Sequence, residues 1–145
     1  MLNIKLSIQP SGVIVTLRVS ASLPKELALR ARGRTIPQPV EVQALLDTGA
    51  DCSVFDPSVP IGLGLLPTGQ CQLRSLDTSL VEESLLVYDA DVAFVSDGEA
   101  SHRFTVRIAA KTLGDLPYKM LLGRDILRHC RLVYDGPEKE ASLTV

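Results

Sequence analysis

The sequence has no surplus of positive charge. Fifteen Lys and Arg stand against seventeen Asp and Glu, a formal net charge of −2, and no long basic face is visible, which argues against a nucleic-acid binder held by phosphate contacts. Cysteine is scarce as well. Cys52, Cys71 and Cys130 are too widely spaced for the close pairs of a zinc site, so free thiols are expected and no metal site is read. No apolar run reaches membrane-spanning length. The first nine residues alternate polar and apolar types instead of placing a basic segment before a continuous apolar one, so neither a membrane span nor a secretory signal is expected, and a cytoplasmic location is. His102 and His129 are isolated, with no Ser or Cys nucleophile in a recognisable setting, which disfavours a His-based hydrolase. Internal repeats, low-complexity tracts and linkers are also missing, so residues 1–145 are read as one domain.

What is present is an ordinary globular composition, 46% hydrophobic and 22% charged, in a 145-residue chain. A domain of that size buries roughly 68–70% of the surface its unfolded chain exposes, enough for a core without staples. Leu2 to Ile8 and Val13 to Val19 both show the two-residue period of half-buried strands, and Gln9-Pro10-Ser11-Gly12 between them predicts a hairpin inside an N-terminal extension, residues 1–39. Leu23 to Arg34 reads as a short helical turn or a long loop. Strands are further expected at Val40 to Leu46, Cys52 to Phe55, Gln70 to Leu73, Leu80 to Val95, Phe104 to Ala109, Arg131 to Tyr134 and Ala141 to Val145, with a strand end at Leu121-Leu122 and a brief helix at Asp125 to His129. Ile61 to Pro67 suits an apolar loop on the core. The predicted class is all-β, mostly antiparallel, with one short C-terminal helix.

One stretch stands apart: Ala44-Leu45-Leu46-Asp47-Thr48-Gly49-Ala50-Asp51-Cys52-Ser53-Val54. An apolar strand carries a single carboxylate, Asp47, into a small-residue turn where Thr48 and Gly49 leave room for a substrate or a second backbone. A carboxylate at the end of a buried strand bears a desolvation cost, and catalysis is one reason to bear it. The bland reading is an aspartate bonding to its own turn. Downstream lies an apolar-apolar-Gly-Arg-Asp segment, Leu121 to Asp125.

In these two segments the sequence resembles the retropepsin-like aspartic proteases, the single-domain homodimeric family that includes retroviral proteases. The resemblance implies a closed β-barrel-like domain with a flap hairpin. It makes Asp47 the catalytic aspartate and places Thr48 and Gly49 in the same active-site turn. The Thr48 hydroxyl would brace the turns across the dimer, and Gly49, Ala50 and Asp51 would lie along the substrate. Arg124 would support the turn by pairing with Asp51. The flap would be Ser75, Leu76, Asp77, Thr78, Ser79 and Leu80, without the glycine-rich tip of the viral enzymes, and Asp125 stands where those enzymes commonly carry Asn.

The chemistry requires two carboxylates, one ionised to take a proton from water and one protonated to polarise the peptide carbonyl. Two carboxylates about 3 Å apart share one proton because both cannot ionise. A chain with one Asp-Thr-Gly needs a second copy, so the expectation is an aspartic endopeptidase that is active as a homodimer, takes a peptide or protein substrate, and uses water as nucleophile with no cofactor. The rivals are a retropepsin-fold peptide-binding or dimerisation module without turnover, and a protease that cuts only itself from a precursor. Asp51 with Arg124 is read as a structural ion pair, Cys52 as small apolar packing, and Leu63, Leu65 and Leu66 as core.

Overall fold

A computed structural model describes residues 1–74 and 82–145. Its strands are β1 (Asn3–Gln9), β2 (Gly12–Ala21), β3 (Val40–Leu46), β4 (Val54–Phe55), β5 (Gly69–Arg74), β6 (Glu82–Ser96), β7 (Glu99–Ala100), β8 (Phe104–Ala110), β9 (Met120–Leu122), β10 (Arg131–Asp135) and β11 (Glu140–Thr144). Six of them close a barrel in the order β2-β3-β9-β4-β8-β6, the ring being sealed where Leu17 to Ala21 of β2 pair antiparallel with Ala90 to Phe94 of β6. Closure removes two edges that would otherwise stand unpaired.

The strand period explains which side chains line this barrel. Along β2, Val13, Val15, Leu17 and Val19 alternate inward, and Leu17 and Val19 are fully buried. Phe55, Phe94, Ile108, Met120, Leu122 and Ile126 fill the space between the walls. Two pairings are parallel, β3 with β9 and β4 with β8. The rungs Ala44–Met120, Leu45–Leu121 and Leu46–Leu122 are apolar throughout, as expected of parallel strands covered on both faces.

The terminal strands form a sheet beside the barrel, β10-β11-β1, joined to it by the β1–β2 hairpin. Ile4, Leu143 and Leu132 form one row across the three strands facing the core, while the next row, Lys5, Ser142 and Val133, faces away. At the other end of the path, β5 pairs with the first half of β6 over six rungs, Gly69–Val87 to Arg74–Glu82. The residues read as a flap, Ser75 to Leu80, lie outside the described residues. The β6–β7 hairpin turns through Asp97 and Gly98, both at positive φ, the signature of a two-residue type I′ turn.

Among the described residues three helices occur where one was predicted. The C-terminal one, α3, spans Arg124–Leu127, starting one residue before and ending two residues before the Asp125 to His129 expected from the sequence. The stretch left open between helix and loop is a helix, α1 (Leu23–Ala31), started by the Ser22 hydroxyl accepting from Lys25 N and by Pro24 in its first turn. It buries none of its residues. A short α2 (Ser58–Gly62) replaces part of the predicted apolar loop. Pro60 is tolerated there because first-turn N–H groups have no helical partner to lose. Leu63 is core and Leu65 packs against it, but Leu66 is 75% exposed, a correction to its assignment as core.

Candidate active site

The apolar β3–β9 ladder ends at Leu46–Leu122, and the next N–H, that of Asp47, donates to the Leu122 carbonyl at 2.9 Å. That bond fixes where the chain leaves the barrel. Asp47 then closes its own turn twice: its carbonyl accepts from Ala50 N at 3.1 Å, and Oδ1 accepts from Gly49 N at 3.0 Å. The second bond is the one an ordinary turn aspartate makes. Oδ2 has no hydrogen-bond partner among the described residues. Asp47 is half-buried rather than buried, which corrects the expectation of a carboxylate sunk at the end of a strand. Thr48 and Gly49 are exposed.

The start of α3 holds this turn from the far side. Arg124 N donates to the Ala50 carbonyl at 2.9 Å and Arg124 Nη1 to the Thr48 carbonyl at 2.7 Å, while Nη2 forms a close ion pair with Asp51 Oδ1. The ion pair is open to water, with Asp51 84% exposed, so its energetic worth is at most about 1 kcal/mol. Its value is positional: one guanidinium ties two points of the turn to the helix. Arg124 and Asp51, expected from the sequence to pair, are brought into contact here.

Three residues of this buttress, Asp125, Ser53 and Gly123, were given no role in the sequence reading. Asp125 accepts from Ser53 N at 2.9 Å, from Ser53 Oγ at 2.7 Å and from the adjacent Ile126 N at 2.9 Å; Ser53 Oγ in turn accepts from Gly123 N at 2.9 Å. Ser53 is fully buried, so this network replaces the water its polar groups would lose. Gly123 allows the close approach itself. A Cβ there would stand 2.7 Å from the Cys52 carbonyl carbon, 2.8 Å from its oxygen and 3.0 Å from the Ala50 oxygen. The signal available in sequence was the Gly-Arg-Asp segment, whose glycine and aspartate each have a packing task beside the arginine's.

Cys52 is exposed in the turn before β4, a correction to its reading as apolar packing. It faces a cavity of about 610 Å³ walled by Cys71, Val87, Phe104, Arg107 and Arg128 among others, and Asp125 contributes to the same wall. Asp47 does not line it. Burial, followed by the nearby Asp125 carboxylate, pushes the Cys52 thiol up from its ordinary value. His129 stacks on Phe104 with ring centroids 5.2 Å apart, and His102 lies tilted against the same ring at 4.2 Å. Among the described residues no group of three or more His, Cys, Asp or Glu is arranged to hold a metal, and no helix is long and apolar enough to cross a membrane.

The arrangement presents one carboxylate oxygen without a protein partner on a turn braced at both ends. That can take a proton from water, but a single carboxylate cannot also protonate the carbonyl that water attacks.

No protein-family model matches the sequence, and no curated protein matches it significantly. Solved structures do. A retropepsin-like aspartic protease from Rickettsia conorii superposes with a TM-score of 0.60 over 98% of this chain and 89% of its own, at 18% identity. The retroviral protease-like domain of Ddi1 from Leishmania major gives 0.44 over 91% of this chain and 87% of its own, at 13% identity. EIAV protease, complexed with an inhibitor, gives 0.36 over 61% and 76%, at 25% identity. Of these three, the rickettsial structure carries the assignment, and with the closed six-stranded barrel it shows that this protein has the retropepsin-like all-β fold.

Proposed function

We propose that the protein is an aspartic endopeptidase whose active site is assembled from two copies of the chain, each supplying Asp47. The observation that supports this reading best is the Asp47 turn: a carboxylate with Oδ2 unpartnered among the described residues, held between the β3–β9 ladder and α3 by bonds that fix the backbone on both sides. Such bracing suits a group whose position matters to within an ångström.

In the proposed reaction one Asp47 is ionised and the other protonated. The ionised carboxylate takes a proton from water while the protonated one donates to the peptide carbonyl oxygen, and the water oxygen adds to the carbonyl carbon. The C–N bond breaks as the protonated carboxylate gives its proton to the amide nitrogen and the other takes one from a hydroxyl of the tetrahedral diol, so the pair again holds one proton. Thr48 and Gly49 are exposed where a second turn would meet them. Gly49, Ala50 and Asp51 border the extended substrate, whose side chains alternate from face to face. The cavity beside Cys52 takes a side chain at some remove from the cut bond.

Peptide-library digestion across acid to neutral pH tests this reading, with Asp47→Asn as control. Cleavage should favour the acid side, where the pair keeps one proton, and Asp47→Asn should remove it. Undiminished cleavage by Asp47→Asn, or an active species that sediments as a monomer, overturns the mechanism. Saturable peptide binding without any cleavage would favour the binding-module rival.

A further inference from the structure

Helix α1 turns its apolar side away from the protein. Glu26 and Leu29, three residues apart, are its half-buried positions and mark the face that meets the barrel. The opposite stripe is Pro24, Leu27, Ala28 and Ala31, with Leu23 one turn before Leu27, and all of these are exposed, Leu23 at 51% and Leu27 at 54%. A surface helix of a globular domain normally does the reverse, burying its apolar stripe and leaving the charged one in water.

The charges around the stripe are of one sign. Lys25 and Arg30 flank it on its two sides, and Arg32 and Arg34 follow where the helix ends. Four of the chain's fifteen cations therefore fall within residues 25–34. Glu26 is the sole carboxylate there, and it is turned inward, accepting from both Nη atoms of Arg103 at 2.9 and 3.2 Å. None of the four cations has a side-chain hydrogen bond or ion pair among the described residues. Compensation of the helix dipole accounts for Arg30 and Arg32 near the C-terminal end, but not for Lys25, a cation in the first turn.

The helix is also preformed. Ser22 caps its start, and at its end Gly33, at φ 65°, lets Arg34 N donate to the Leu29 carbonyl at 2.9 Å, which holds Arg34 against the last turn. Leu23 N donates to Asp91 and Glu26 pairs with Arg103, so α1 is fixed to the barrel at two points. Whatever takes the outer face need not order the helix first.

The size of that face selects its occupant. Nine residues rise only about 13 Å, too little to bury the roughly 800 Å² per partner of a standard protein interface. A bilayer surface sets no such minimum, because each apolar side chain entering the headgroup boundary and each cation near anionic lipid adds its own increment. Cations on both sides of an apolar stripe suit a flat negative surface.

We propose that α1 is a peripheral membrane contact: Leu23 and Leu27 enter the headgroup boundary of an anionic bilayer, and Lys25, Arg30, Arg32 and Arg34 lie among its phosphates. The helix rests on the surface without crossing it, since no helix among the described residues is long and apolar enough to span. The proposal is independent of the peptidase reading.

The test is flotation of the full chain with phosphatidylcholine vesicles, with and without about 30% phosphatidylglycerol. The wild type should float with the anionic vesicles, stay behind with the neutral ones, and be released by about 0.5 M salt. The double variant Arg32→Gln, Arg34→Gln should bind about twenty-five-fold more weakly, about fivefold for each cation, and Leu27→Gln about tenfold more weakly. Thermal melts should stay close to the wild type, because these side chains are exposed and make no bond among the described residues. Arg131→Gln, which removes an exposed cation elsewhere, and Asp47→Asn should both float as the wild type does. Failure to float on anionic vesicles, equal binding to neutral ones, or indifference to the α1 substitutions overturns the proposal. Capture by soluble polyglutamate without flotation overturns it in favour of an acidic protein partner, and a dimer that Leu27→Gln dissolves overturns it in favour of a second copy.

Discussion

Replacing Gly123 with alanine tests whether the Asp47 turn is held by backbone contact. Gly123 has φ −90° and ψ −176°, which alanine adopts without strain, so conformation alone would favour the variant by about 0.4–1 kcal/mol through the unfolded chain. The obstacle is the added methyl. Its nearest neighbours, at 2.7, 2.8 and 3.0 Å, are backbone atoms of Cys52 and Ala50 that cannot rotate aside as a side chain would. Ordinary carbon contacts lie at about 3.5–4.0 Å, so the two segments must part by nearly an ångström. Overpacking of this kind costs about 1–3 kcal/mol. Parting also stretches the bonds from Gly123 N to Ser53 Oγ and from Arg124 N to Ala50 O, each worth about 1 kcal/mol. The net loss is about 2–5 kcal/mol, or about 6–15 °C in Tm for a chain of this length. Peptidase turnover should fall about a hundredfold, since Asp47 moves with the turn. Gly62→Ala is the control: a Cβ there meets nothing within 4 Å, and its Tm should hold or rise. A Gly123→Ala protein that melts at or above the wild-type temperature refutes the reasoning.

Arg103→Ala should cost about 3–5 kcal/mol in denaturant unfolding, because it removes the cation beside Asp91, which is 2% exposed and keeps only Leu23 N and the Thr105 hydroxyl. Asp56 is held below its ordinary value by the Leu113 N–H and then by Ser58, so the stability it contributes is complete above the usual aspartate range and is lost as pH falls through its lowered value. Asp56→Asn should therefore lower Tm at neutral pH, by a margin that shrinks as the solution is acidified. Burial pushes the Cys130 thiol up to about 11, so alkylation at pH 8 followed by mass spectrometry should find exposed Cys52 modified well before Cys130; equal rates would contradict the buried placement.

The strands were legible because their signal is local. Val13 to Val19 and Phe104 to Ala109 alternate every two residues, and Asp97-Gly98 marks its own turn. The Asp47 turn and the Gly-Arg-Asp segment were legible for the same reason. The helices were harder. α1 buries nothing, so it has no core-facing apolar stripe for periodicity to report, and α2 carries Pro60 and Gly62, which read as breakers. Closure of the barrel depends on β2 meeting β6 across some seventy residues of chain, for which no local pattern exists. Asp91 was overlooked for a related reason: it sits in an apolar strand, and its partners come from two distant places, Leu23 at the start of α1 and Glu26-bound Arg103 with Thr105 at the start of β8.

The N-terminal residues acquire a definite place from this topology. β2 is a stave of the barrel, bonded to β3 on one side and β6 on the other, and its Leu17, Val19 and Ala21 are fully buried. β1 fills the slot between β2 and β11, and α1 is fastened to the barrel where Glu26 meets Arg103 at 2.9 Å. Because β1 and β11 satisfy each other within one chain, neither is left to reach into a second subunit without first unpairing. At the two ends of the strand path, β5 and β10, no further strand is paired among the described residues; β5 borders the cavity beside Cys52, and β10 follows α3. The Asp47 turn is braced by Arg124 of α3, which leaves Asp47 Oδ2, unpartnered among the described residues, as the group that meets whatever approaches the turn.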